Sequence, residues 1–119
     1  MAADQPRYLH GLALFNRGRF FDAHEVLEDV WRASSQEEKK TWQGLVQVAV
    51  AFHHYSTGNH VGMRSVLLRA MRNLSAHSRS FHAVELEELL ESLRVWLGAF
   101  DRGREPAVPH ILVRRKSPQ

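Results

Sequence analysis

Apolar residues recur at helical spacing along nearly the whole chain, and Gly and Pro interrupt them sparsely. The clearest stripe is Leu86, Leu89, Leu90, Leu93, Trp96, Leu97 and Phe100, with Glu87, Glu88, Glu91 and Arg94 lying off it. That pattern predicts a helix over about 84–101. A first helix is expected over about 7–17, stopped by Gly18 as a left-handed C-cap, and a second over about 20–32. Ser35 followed by Glu38 reads as a capping box for a third, running to about 57 and ended by Gly58. Asn59 then caps a fourth helix, to about 77. No long strand is indicated.

The fold class expected is therefore all-α, a five-helix domain over about 1–103 with an extended basic C-terminal tail over 104–119 that carries Pro106, Pro109 and Pro118. In that tail, Ile111, Leu112 and Val113 should pack on the body. A weak internal repeat supports the arrangement. Gly18, Phe20, Ala23, Leu27 and Val30 are matched forty residues later by Gly58, His60, Met63, Leu67 and Ala70. Each set describes a helix ending at Gly and a second helix packing back. The two hairpins resemble tetratricopeptide units, and because two units do not seal a solenoid core, the fifth helix is expected to close it or to support a homodimer.

Composition narrows the function classes. The 119 residues include no Cys, which excludes a disulfide framework, a thiolate nucleophile and Cys-ligated zinc. The first eleven residues lack the apolar and basic regions of a secretory signal, and the densely apolar stretch at 45–52 is too short to span a bilayer, so a soluble cytoplasmic protein with no membrane partner is expected. The net charge of +3 sits in the tail, since residues 1–100 hold 11 basic and 11 acidic side chains. Residues 39–84 contain six Lys/Arg and no acid, whereas 22–38 contain six acids and one Arg. Arg64, Arg69 and Arg72 make helix four basic, and Arg114, Arg115 and Lys116 do the same for the tail. Without interleaved aromatics this is only a weak signal for nucleic acid, which is not the partner expected.

The candidate chemistry lies on helices two and three. At 100° per residue, His24 and Trp31 fall at one edge of the apolar stripe of helix two and Glu28 just beyond it. Being four apart, His24 and Glu28 are neighbours. Glu25 points further round, and packing does not explain an acid there. On helix three, Gly44, Gln47, Ala51, His54 and Tyr55 share a narrow face with Gln43 at its margin, while His53 points nearly opposite. Gln47 lies in an otherwise apolar helix, and a buried amide needs a partner. Antiparallel packing of helices two and three would let His24 and Glu28 meet Gln47 and His54, with Gly44 and Ala51 leaving room for a ligand.

The strings FNRGRFFDAHEVLEDVW and WQGLVQVAVAFHHYSTGNHVGM resemble the small all-α family catalogued as domain of unknown function 309. The positions carrying the resemblance are Phe15, Asn16, Gly18, Phe20 or Phe21, Ala23, His24, Glu25, Glu28 and Trp31. Gln43, Gly44, Gln47, His54, Gly58, Asn59 and Gly62 follow. The resemblance implies a compact helical fold and supplies no established reaction.

Several readings of the polar cluster stay open. His24, Glu28 and His54 form a ligand set that a divalent metal accepts, with Glu25 as a candidate catalytic base. The same pocket, completed by Trp31, Gln43 and Gln47, could instead hold a small polar ligand. Whether the protein is an enzyme is left open. The alternative is a purely structural network in a helical-hairpin module that binds a protein partner. A weaker one is nucleic-acid or anion binding through helix four and the tail.

Overall fold

The computed structural model describes residues 6–77 and 81–114. The fold is all-α, with five helices in the order α1 (Arg7–Asn16), α2 (Phe20–Ala33), α3 (Lys39–Ser56), α4 (His60–Leu74) and α5 (Leu86–Asp101). Contacts group them into one compact unit up to Ala76, holding α1–α4, and another from His77 onward, holding α5. No helix among the described residues is long and apolar enough to cross a membrane.

In the first unit each helix packs on the next in sequence, α1 on α2, α2 on α3 and α3 on α4. The two tight turns are set by backbone sign. Gly18 (φ 82°) and Gly58 (φ 84°) take the left-handed conformation that ends α1 and α3, which would strain a residue with a Cβ. Asn59 then caps α4 as expected, its side chain accepting from Gly62 N at 2.9 Å.

The capping box expected at Ser35 and Glu38 does not form. Glu38 occupies the cap position without a side-chain cap bond. Its carboxylate accepts from Trp42 Nε1 at 3.2 Å instead, because the indole four residues on is within reach once Trp42 is buried. α4 also ends earlier than expected, at Leu74. There the Ser75 hydroxyl donates to Met71 O at 2.8 Å and the chain leaves the helix.

α3 is central and buried on two sides. One face carries Trp42 and Phe52 toward α1 and α2. Tyr8 lies 5.3 Å from Trp42, and Phe15 and Phe20 lie 5.9 and 6.0 Å from Phe52, centroid to centroid. The other face meets α4, and at Gly44 that contact leaves no room for a side chain. A Cβ there would stand 2.9 Å from Leu74 Cγ and 3.2 Å from the carbonyl oxygen of Ala70. Any side chain would push α4 away.

In the second unit, α5 buries Leu86, Leu89, Leu90, Leu93, Trp96 and Leu97 of the stripe seen in the sequence, while Phe100, its last member, is half-buried and stacks on Trp96 at 5.4 Å. Val84, expected to begin this helix, instead bridges Phe81 and Val113 in isolated antiparallel pairs. Residues 104–112 have no regular structure and hold to this unit. Trp96 Nε1 donates to Pro106 O at 3.1 Å and Glu85 N to Leu112 O at 3.0 Å. The apolar triplet divides: Ile111 is buried, whereas Leu112 and Val113 are exposed and only the first of the three packs on the body as expected. Arg115, Lys116 and Pro118 lie outside the described residues.

Candidate functional site

The residues singled out on α2 and α3 separate into three places. His24 and Glu28, one turn apart on α2, do pair, His24 Nε2 standing 3.5 Å from Glu28 Oε2. The pair continues outward as a chain of alternating charge. Arg32 donates to Glu28 at 2.8 Å and to Asp29 at 3.2 Å, and Arg7 of α1 donates to Asp29 at 2.9 Å. These groups are partly or largely exposed, so each pair contributes only a few tenths of a kcal/mol to about 1 kcal/mol. The chain fixes side-chain directions more than it stabilises the fold.

Gln47 is elsewhere. Its Oε1 accepts a hydrogen bond from Asn73 Nδ2 of α4 at 2.7 Å, in a partly buried position. It does not face His24 or Glu28, and the expected seam between α2 and α3 is corrected accordingly. The reason is the face it shares with Gly44. Gly44 packs against Leu74 and the Ala70 carbonyl of α4, so the face it shares with the amide belongs to that contact. Sequence reasoning missed Asn73 as the partner. Reflecting Gln47 through the Gly58–Asn59 turn lands within one helical turn of it, which is the signal that could have found it.

His54 lies near the α3–α4 turn. Its Nδ1 is 3.4 Å from Asn59 Nδ2, and its carbonyl accepts from Asn59 N at 2.8 Å. His24, Glu28 and His54 are therefore not gathered into one ligand set. Among the described residues no group of three or more His, Asp or Glu side chains is placed to hold a metal ion. Gln43 is exposed on α3 and, among the described residues, makes no hydrogen bond.

Trp31 serves the α2–α3 link. The Lys39 ammonium sits 5.1 Å from the centre of its ring and donates to its carbonyl at 2.8 Å, latching the end of α2 to the start of α3. Its indole N–H is buried and has no hydrogen-bond partner among the described residues. Glu25 faces away from His24. It lines a polar groove between α1 and α2 with Arg7, His10, Arg19, Asp22 and Asp29. Arg19 is ion-paired to Asp22 at 2.6 Å and Arg7 to Asp29, whereas Glu25 and His10 make no hydrogen bond or ion pair among the described residues.

The side chain that packing leaves over is Phe21. Its neighbour Phe20 enters the aromatic core, while Phe21 stays 51% exposed. Its ring is flanked by His24 at 5.9 Å and by His53 at 5.5 Å, the α3 histidine that points away from the Gln47 face. A cleft of about 200 Å³ opens beside it, lined by Gly18, Phe20, Phe21, Asp22, His53 and Ser56 among others. In the sequence, Phe20 joins Ala23, Leu27 and Val30 on the apolar stripe and Phe21 falls beside it, so periodicity separates the core ring from the exposed one, although the motif position admits either.

Comparison with known proteins agrees with the motif. An uncharacterised protein of Aquifex aeolicus is 32% identical over 97 residues, covering 81% of this chain and 29% of the relative. The uncharacterised protein YpuF of Bacillus subtilis is 30% identical over 93 residues, covering 72% of this chain and 53% of the relative. The chain thus spans about half the length of one curated relative and under a third of the other. Residues 8–66, which take in all but the first residue of α1, all of α2 and α3 and the start of α4, match the model of a domain of unknown function, DUF309. The helices that carry Phe21, His24, Glu25, Gln47 and His54 are those of a DUF309 domain, and the chain belongs to that family.

Proposed function

We propose that the α1–α4 unit is a cytoplasmic docking module for a protein partner, engaged through the edge where the start of α2 meets the end of α3. The observation that carries the reading is Phe21, half exposed between two imidazoles and beside a cleft of about 200 Å³. Aromatic rings held rigidly at a surface are what interface hot spots are made of, since they bury large area at low entropy cost. The polar motif residues support it in the background. Glu28 braces His24, which braces Phe21, and Gln47 is consumed by Asn73. The absence of cysteine agrees with a reducing compartment.

The test is affinity capture from a lysate of the native host with the full chain, Phe21→Ser and Leu112→Ser as baits. Leu112 is likewise half exposed but lies in the other unit. A partner kept by the parent and by Leu112→Ser, and lost by Phe21→Ser with the helical circular dichroism unchanged, supports the reading. The same proteins recovered on all three baits would overturn it.

A small polar ligand is the second reading, placed now in the α1–α2 groove. It is favoured by Glu25 and His10, which line that groove without partners among the described residues. A Glu25→Gln variant that alters capture no differently from Phe21→Ser would count against a separate site there.

A further inference from the structure

The outward faces of α4 and α5 carry opposite charges, of which Arg69, Arg72, Glu87 and Glu88 are not neutralised by their own helix. α4 buries Met63, Leu67, Ala70 and Leu74, which leaves Val61, Ser65, Arg69 and Arg72 exposed on the opposite side. Arg69 reaches only Ser65 Oγ, at 3.5 Å, and Arg72 makes no ion pair or hydrogen bond among the described residues. α5 turns Glu87, Glu88, Glu91 and Val95 outward. Glu91 pairs with Arg94 at 3.3 Å, while Glu87 and Glu88 have no partner among the described residues.

Helix macrodipoles account for the end at which each sign sits, cations late in α4 and acids early in α5. They do not account for the missing counter-ions. One turn from Glu87 and Glu88 stand Glu91 and Ser92, and one turn before Arg69 and Arg72 stand Ser65 and Leu68, so neither helix supplies its own. Each face also exposes an aliphatic side chain, Val61 at 85% and Val95 at 62%.

We propose that the occupant of each face is a second copy of this chain, α4 of one copy lying antiparallel on α5 of another. The spacing selects that direction. Arg69 follows Val61 by eight residues and Glu87 precedes Val95 by eight, about 12 Å along either axis. Antiparallel docking that stacks Val61 on Val95 brings Arg69 level with Glu87, with Arg72 and Glu88 nearby. Parallel docking would set Arg69 level with Gly103, past the end of α5 at Asp101 and far from Glu87 and Glu88. Exposed pairs contribute little singly, so the association is weak and governed by ionic strength. It is independent of Phe21.

Light scattering on the full chain across a concentration series at low salt tests this. The expected mass rises above the 13.7 kDa monomer with concentration and returns to it as salt approaches about 1 M, where screening acts over about 3 Å. Arg69→Glu with Arg72→Glu should weaken association at least tenfold, and so should Glu87→Arg with Glu88→Arg. An equimolar mixture of these two variants should restore it, since the charges are then exchanged between copies. Val61→Ser should weaken it without touching charge, and Phe21→Ser should leave it unchanged. A parent chain monomeric at every concentration would overturn the proposal. So would charge-reversed variants that associate like the parent, or a mixture no heavier than its components.

Discussion

Asn73 donates a 2.7 Å hydrogen bond to Gln47, and this single amide–amide contact joins α3 to α4 across the same face where Gly44 admits Leu74. It explains a polar residue in the middle of an apolar helix. It also directs the Gln47 carbonyl toward α4, whereas the sequence pattern predicts that it faces α2.

Replacing Gln47 with Leu should leave the Asn73 amide without its acceptor and destabilise the protein by about 1–3 kcal/mol, read by urea unfolding. Adding Asn73→Leu should recover part of the loss, as both polar groups are then gone. Combining Gln47→Leu with His24→Ala should give additive costs. Strong coupling between Gln47 and His24 would contradict the separation described above.

Gly44→Ala should cost about 1–3 kcal/mol by overpacking, since the new methyl meets the buried Leu74 and the backbone carbonyl of Ala70. Shortening the obstacle tests the cause. Leu74→Val should be more tolerable in the Gly44→Ala background than in the parent.

A buried and an exposed phenylalanine should respond oppositely to truncation. Phe52→Ala should cost about 3–5 kcal/mol, because Phe52 is fully buried among Phe15, Phe20 and Tyr55. Phe21→Ser should cost under about 1 kcal/mol, within the range of surface substitutions. A large loss at Phe21 would mean that its ring serves packing and not contact.

Zn²⁺, Mn²⁺ or Ni²⁺ at equimolar concentration should leave Tm unchanged, since His24, Glu28 and His54 are not brought together. A stabilisation that His24→Ala and His54→Ala each abolish would show that these residues can meet around an ion after all.

Much of the fold was legible because helical periodicity and turn chemistry are local. The α5 stripe, the Gly18 and Gly58 turns and the Asn59 cap all follow from a residue and its near neighbours. The misread details lie where a local signal competes with a partner. Glu38 is drawn to Trp42 and away from Ser35, and Val84 is drawn into pairing with Val113 and out of the helix. The His24–Glu28 pair was legible for the same reason, being one turn apart.

What the chain determined by itself is which residues are polar on otherwise apolar helices, and that each must find a partner. Which partner is a matter of tertiary packing. α3 has α2 on one flank and α4 on the other, and its own periodicity does not say which flank the face of Gly44 and Gln47 joins. In the folded protein that face joins α4, with Gly44 against Leu74 and the Ala70 carbonyl. That packing sends Gln47 to Asn73, leaves His24 with Glu28, and turns Phe21 outward beside His53.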